Sequence, residues 1–197
     1  MKLEGYKLVF IAIGFIGVLL IASPVLADLI HAPADEQFSE LYLLGPEKSA
    51  ANYPFNIVVG HKYSIYIGVG NHMGSSVCYV LYVKCGNGTD LLPTRERSSS
   101  LSRLYEYRVA VQDSLNWESP LVFSVSRGSI SGNKSEINAL QINGVTFNIN
   151  KHSIWDSNST TFKYQLFFEL WLYNSSSNKV LYNERFVNLQ LNLTRLT

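Results

Sequence analysis

The chain has 197 residues, 47% of them hydrophobic and 16% charged, with a formal net charge of +1. That apolar fraction excludes disorder and suits about one folded domain behind an N-terminal targeting segment. With Lys and Arg scattered rather than striped, the charge leaves no footprint for a nucleic-acid partner.

From Leu8 to Ala27, twenty residues pass without a charge, enough to span roughly 30 Å of hydrocarbon as a helix. Lys2 and Lys7 precede this stretch, while Asp28, Asp35 and Glu36 follow it. The positive-inside bias therefore places the N-terminus in the cytoplasm and the rest of the chain outside. Residues 1–30 read as a cytoplasmic tip and a transmembrane anchor held in the membrane through residues 8–27. A cleaved signal peptide is the rival, because Leu8 to Ile21 has the length of an apolar h-region. Pro24, Val25 and Ala27 also resemble a cleavage site before Asp28. Residues 31–37 form a polar linker, and both readings export residues 38–197.

From Phe38 onward the hydrophobic period is two, as strands require. Phe38, Leu41 and Leu43 fit a first strand, Gly45-Pro46 a turn, and Tyr53-Pro54 an extended approach to the next element. Tyr63, Ile65, Ile67 and Val69 line one face of a strand. Val77 to Cys85 is apolar on both faces apart from Lys84, the pattern of a central strand covered on two sides. Leu91 to Ser102, with Pro93, Arg95, Glu96, Arg97 and three consecutive serines, reads as a long exposed loop. Tyr105, Tyr107, Val109 and Val111 form the next face. Asn143-Gly144 between apolar runs signals a type I′ hairpin. A last pair of strands flanks the cluster Asn174 to Asn178, the first of them carrying Phe162, Tyr164, Leu166, Phe168, Leu170 and Leu172 on one side. No amphipathic helix follows Ala27. Eight or nine strands without helical crossovers predict an all-β chain, an immunoglobulin-like antiparallel β-sandwich behind one N-terminal transmembrane or signal helix.

Cys78 and Cys85 fall on one strand, about 23 Å apart and on opposite faces. They cannot bridge each other, so two buried free thiols are expected. The acceptor pattern N-x-S/T occurs at Asn87, Asn133, Asn158, Asn174 and Asn192. The first four sit in predicted turns, where a glycan can point into water; Asn192 lies in the last strand. The alternative is that Asn, Ser and Gly simply crowd into turns.

No catalytic, cofactor or metal set can be assembled. Gly128-Ser129-Ile130-Ser131-Gly132 lacks the central serine of a nucleophile elbow. Gly68-Val69-Gly70 has no helix after it to receive a pyrophosphate, so close strand packing is the expected reason for its glycines. His31, His61, His72 and His152 are scattered, and no C-x-x-C occurs. The tryptophans Trp117, Trp155 and Trp171, with twelve tyrosines, offer the makings of a carbohydrate-stacking surface, but most are expected in the core and in strand pairs.

Phe38-Ser39-Glu40-Leu41-Tyr42-Leu43-Leu44-Gly45-Pro46-Glu47, then Asn52-Tyr53-Pro54, Val58-Val59-Gly60 and Gly70-Asn71-His72, resemble the archaeal family called domain of unknown function 1616. Leu166 to Tyr173 and Arg185-Phe186-Val187 resemble its closing strands. The resemblance covers roughly Phe38 to Lys84 and Phe162 to Leu193. It implies an envelope protein with an exported β domain and supplies no active site. Within these motifs Glu40 and Asn71-His72 are the least explained residues: a Glu40 buried against backbone amides would be structural, and Asn71-His72 is expected to close a hairpin.

The functional expectation is a single-pass cell-membrane glycoprotein module with its C-terminal domain outside, not an enzyme. It would be structural or adhesive, contacting an envelope protein through exposed sheet faces or edges. The alternative is an accessory or sensing subunit of a membrane complex, which would need a concave aromatic pocket. No small-molecule ligand is indicated.

Overall fold

The structure, a computed structural model, describes residues 6, 7, 13, 15, 16 and 37–195. Tyr6, Lys7, Ile13, Phe15 and Ile16 are helical. Among the described residues no helix is long and apolar enough to cross a membrane. The expected anchor over residues 8–27 lies outside the described residues apart from three positions, and the linker over 31–37 apart from Gln37.

The domain beginning at Phe38 is all-β. Its ten strands are β1 (Phe38–Leu44), β2 (Asn56–Val58), β3 (Tyr63–His72), β4 (Val77–Asn87), β5 (Tyr105–Val111), β6 (Leu115–Ser131), β7 (Lys134–Ile142), β8 (Val145–Asp156), β9 (Thr161–Asn174) and β10 (Lys179–Thr194). They form one curled, open sheet. One half has the order β1-β3-β6-β7-β8, all antiparallel. The other has the order β5-β4-β9-β10-β2, in which β2 alone runs parallel to its neighbour. The ladder continues from one half to the other through two residue pairs, Trp155↔Phe162 and Asp156↔Thr161.

The alternating residues explain the curl. Ile65, Ile67 and Val69 of β3, Leu121, Phe123 and Val125 of β6, and Leu140 and Ile142 of β7 share one buried cluster with residues of the other half: Tyr79, Leu81 and Val83 of β4, Tyr164, Leu166, Phe168 and Leu170 of β9, and Leu189, Leu191 and Leu193 of β10. Period-two patterning gives each half one apolar face, and bending the sheet brings those faces together. The turn at Asn143-Gly144 has φ of 48° and 84°, which fits the type I′ hairpin expected there. Asn71 is fully buried at the end of β3. Its amide donates to the carbonyls of Ser75 and Val111 at 2.8 Å each, and its Oδ1 accepts from Met73 N and from the Tyr79 hydroxyl, both at 3.1 Å. This closes the β3–β4 connection and leaves no polar group of the side chain unpaired.

The segment between β4 and β5 is a mostly exposed loop, as expected, but it is pinned down at Ser99. It folds back over the outer face of β4 and β9, where Lys84 and Glu169 are 5% and 0% exposed. Lys84 Nζ lies 2.9 Å from Glu169 Oε2 and donates to the Ser99 carbonyl at 2.7 Å. The Ser99 amide in turn donates to Glu169 Oε1 at 2.7 Å. Trp171 Nε1 adds a donor to Glu169 Oε2 at 3.3 Å, and the Tyr182 hydroxyl donates to the Thr94 carbonyl at 2.9 Å. A polar residue in an otherwise two-sided apolar strand is thus the anchor for its own cover.

That cover does not reach the start of β4. Cys85 is buried and Cys78 is exposed, both as free thiols, so the expectation of two buried thiols is corrected at Cys78. Cys78 pairs with Ala110 on the edge strand β5 and faces solvent.

Removing one member of a buried pair strands the other charge. Lys84→Met is expected to lower unfolding free energy by about 3–5 kcal/mol in denaturant titration, with Lys84→Met/Glu169→Leu recovering most of it. Burial pushes the Cys85 thiol up to about 12. A thiol reagent at neutral pH should therefore modify one cysteine, Cys78, in the folded chain, and the second only on unfolding.

Candidate functional site

The curl leaves a seam where β1 and β10 face each other without pairing. Antiparallel strands direct the N–H and C=O of every second residue to the same edge. The Ser39 carbonyl accepts from Arg185 Nε at 3.3 Å and the Leu43 carbonyl from the Tyr53 hydroxyl at 2.8 Å. Ser39, Leu41 and Leu43 thus turn their backbone groups away from β3 and into the seam. On the opposite wall, Asn192 N–H donates to the Phe55 carbonyl at 2.8 Å, which marks Phe186, Asn188 and Gln190 as the residues whose backbone faces the same way. The strand β2 covers only Asn192 to Thr194. Among the described residues the backbone groups of Leu41, Asn188 and Gln190 have no partner across this edge.

Between these walls lies a cleft of about 610 Å³ lined by Leu41, Leu43, Val187 and Leu189, with Tyr53 and Phe55 above them. Its chemistry is that of an apolar trough bordered by unpaired peptide groups. Tyr42 adds an uncharged hydroxyl to its rim. Burial, then the hydrogen bond to Glu118, push its pKa up to about 12, and the hydroxyl donates to Glu118 Oε1 at 3.1 Å. Gly68 makes room for that ring: a Cβ there would lie 2.1 Å from it. A Cβ at Gly70 would lie 2.7 Å from Asn116 Oδ1 and 2.8 Å from Glu40 Oε2. Close packing between strands therefore accounts for both glycines.

A second cleft, of about 760 Å³, opens where the β6–β7 and β8–β9 turns meet the ends of β2 and β10. Phe55 and Trp155, each 42% exposed, form apolar walls, and Trp155 is braced edge-on against Phe162 at 5.0 Å. The rim carries Asn56, Asn133, Ser159, Thr160 and Thr194, with Arg195 as its one charged residue among the described residues.

The five N-x-S/T asparagines fall into two groups. Asn133 and Asn158 are exposed in turns and Asn174 is exposed at the end of β9, and their amide nitrogens make no hydrogen bond among the described residues. Asn87 donates its amide to the His152 carbonyl at 2.7 Å. Asn192 is 7% exposed; its amide donates to Asn56 Oδ1 and its oxygen accepts from Phe162 N–H, both at 2.9 Å. In the folded chain the Asn87 and Asn192 amides are thus engaged in hydrogen bonds.

Glu40 is not buried against backbone amides. Its side chain is 44% exposed and lies 3.9 Å from His72 Nε2, and Phe38 stacks on His72 at 4.6 Å. Position 40 points outward because Ser39 and Leu41 take the inward positions of β1. His61 and His152 stay apart from His72, and His31 lies outside the described residues. Among the described residues no group of three or more His, Cys, Asp or Glu could hold a metal.

Residues 32–140 match the family described as Domain of unknown function (DUF1616). The match includes the opening motif and runs on through the middle of the chain into β7. The strands over Phe162 to Leu193 lie outside it. No curated protein matches. Among solved structures the chain is similar to a beta-glucosidase from Listeria innocua, at 10% identity and TM-score 0.37, over 82% of this chain and 17% of that one. It is also similar to beta-glucuronidase 2 from Bacteroides uniformis, at 8% identity and TM-score 0.36, over 77% and 13%. The chain spans less than a fifth of these enzymes' length, and likeness at this level carries no argument.

Proposed function

The chain belongs to the DUF1616 family, and on that premise we propose a membrane-anchored extracytoplasmic glycoprotein module that holds an envelope protein by strand addition at the β1–β10 seam. The observation that carries this reading is the pair of unpaired strand edges facing each other over an apolar trough. An unpaired strand edge is a template for an extended peptide, whose backbone supplies the missing hydrogen bonds and whose alternate side chains enter the trough. The partner is an extended segment with apolar residues at every second position. Residues 8–27 tether the module to the membrane in a single pass, and Asn133, Asn158 and Asn174 carry glycans. The two facing halves are read as a sandwich of immunoglobulin-like character, supported by one core drawn from both. The work is binding without turnover.

The second reading is a sensing or accessory subunit. It is favoured by the aromatic cleft between Phe55 and Trp155, the kind of concave site such a subunit needs.

The test places a photoreactive amino acid at Leu41, at Asn188 or, as a control, at Glu106 on the opposite edge strand, in the full chain in its native membrane. Adducts to one envelope protein from Leu41 and Asn188, and none from Glu106, are expected. Adding Leu43→Asp, which charges the trough floor, should reduce them about tenfold or more, in line with the loss of 1–3 kcal/mol on burying an uncompensated polar group. Equal adducts from Glu106, or none from the seam, would rule the seam out as the binding surface.

A further inference from the structure

We propose that the cleft between Phe55 and Trp155 is the seat of the chain's own glycan, attached at Asn133. This rests on the glycoprotein reading above and goes further by giving the glycan a bound position. Asn133 follows Gly132, whose φ of +58° makes the two-residue turn between β6 and β7 and lifts the Asn133 side chain into solvent. The same residue lines the cleft. Its carbonyl accepts from the Trp155 backbone N–H at 2.8 Å, which fixes the exposed indole beside the point of attachment.

The wall and rim chemistry fit a saccharide. Sugars present C–H faces that lie against aromatic rings, and hydroxyls that pair with amides and hydroxyls at the edge. Phe55 and Trp155 supply the rings, and Asn56, Ser159, Thr160 and Thr194 the edge. Of the three asparagines with uncommitted amides, Asn133 lines this cleft and Asn158 sits in the turn whose next residues, Ser159 and Thr160, line it too. Asn174 ends β9, at the far end of that strand from Thr161.

Attachment joins Asn133 Nδ2 to the anomeric carbon of a lipid-phosphate-linked oligosaccharide; the lipid phosphate leaves and the amide gives up one proton. Ser135 of the acceptor pattern is buried, with its hydroxyl 2.8 Å from the Tyr164 hydroxyl. Modification therefore precedes the docking of β7, and the glycan settles on the cleft as the domain closes.

The experiment uses the full chain from its native membrane. Peptide mass mapping gives the occupancy of Asn133, and oxidative footprinting gives the reactivity of Trp155. With the glycan present Trp155 should oxidise several-fold more slowly than in Asn133→Gln, while Asn174→Gln leaves it protected. Trp117, on another strand, reports whether either variant has lost its fold. An unmodified Asn133 overturns the proposal together with the glycoprotein reading at that position. An occupied Asn133 with Trp155 as reactive as in Asn133→Gln overturns the seat alone. Protection that disappears with Asn158→Gln instead overturns the assignment to Asn133.

Discussion

A sheet with one continuous ladder can bury both of its apolar halves only by bending, and it can bend shut on only one side. Here the closed side is the short run Trp155↔Phe162 and Asp156↔Thr161, where β8 leaves its own row to meet β9. The opposite side would close if β2 ran the length of β10, but β2 has three residues. Pro54 lacks an N–H just before it. Beyond it Gly60, at φ +85°, turns the chain across to the other half, where its N–H donates to the Val125 carbonyl at 2.8 Å. The remaining edge of β10 and the edge of β1 are left facing each other. Both clefts follow from this: the seam is where the sheet does not close, and the aromatic cleft is the gap left where β8 turns to β9.

The outer face of the second half meets a related constraint. Strands β4 and β9 carry apolar residues on both sides, so their outer face needs a cover. The chain uses the segment after β4 and ties it down through Lys84, Glu169 and Ser99. A lone buried charge would cost several kcal/mol. Two opposite charges, with Ser99 giving its N–H to one and its carbonyl to the other, hold the cover at a fixed place without leaving a polar atom unpaired. This ties the segment after β4 to the outer face of the second half.

Much of this fold is legible residue by residue. Inward positions such as Ile65, Ile67 and Val69 follow from strand alternation, the Asn143-Gly144 turn from its need for positive φ, and the Asn71 closure from an amide side chain at a strand end. What is not legible depends on partners distant in sequence. Lys84 is visible as an oddity in an apolar strand, but Glu169, 85 positions later, has no local signal that pairs them. The exposure of Cys78 depends on how far the cover reaches, and that of Glu40 on which side of β1 the core takes. The strand order and the seam arise from which edges meet, which alternation alone does not specify. Only the shortness of β2, bounded by Tyr53-Pro54 and Gly60, leaves a trace in the sequence.

The central claim is that the edges of β1 and β10 stand open in the free chain and are ready to pair with an extended segment. Residue-resolved hydrogen–deuterium exchange on the purified chain tests it most directly. The amides of Leu41, Asn188 and Gln190 should exchange orders of magnitude faster than those of Glu40, Tyr42, Val187 and Leu189, which pair within their own halves. Protection of the seam amides equal to that of their neighbours, in the absence of any partner, would mean that the sheet closes on itself and has no site to offer.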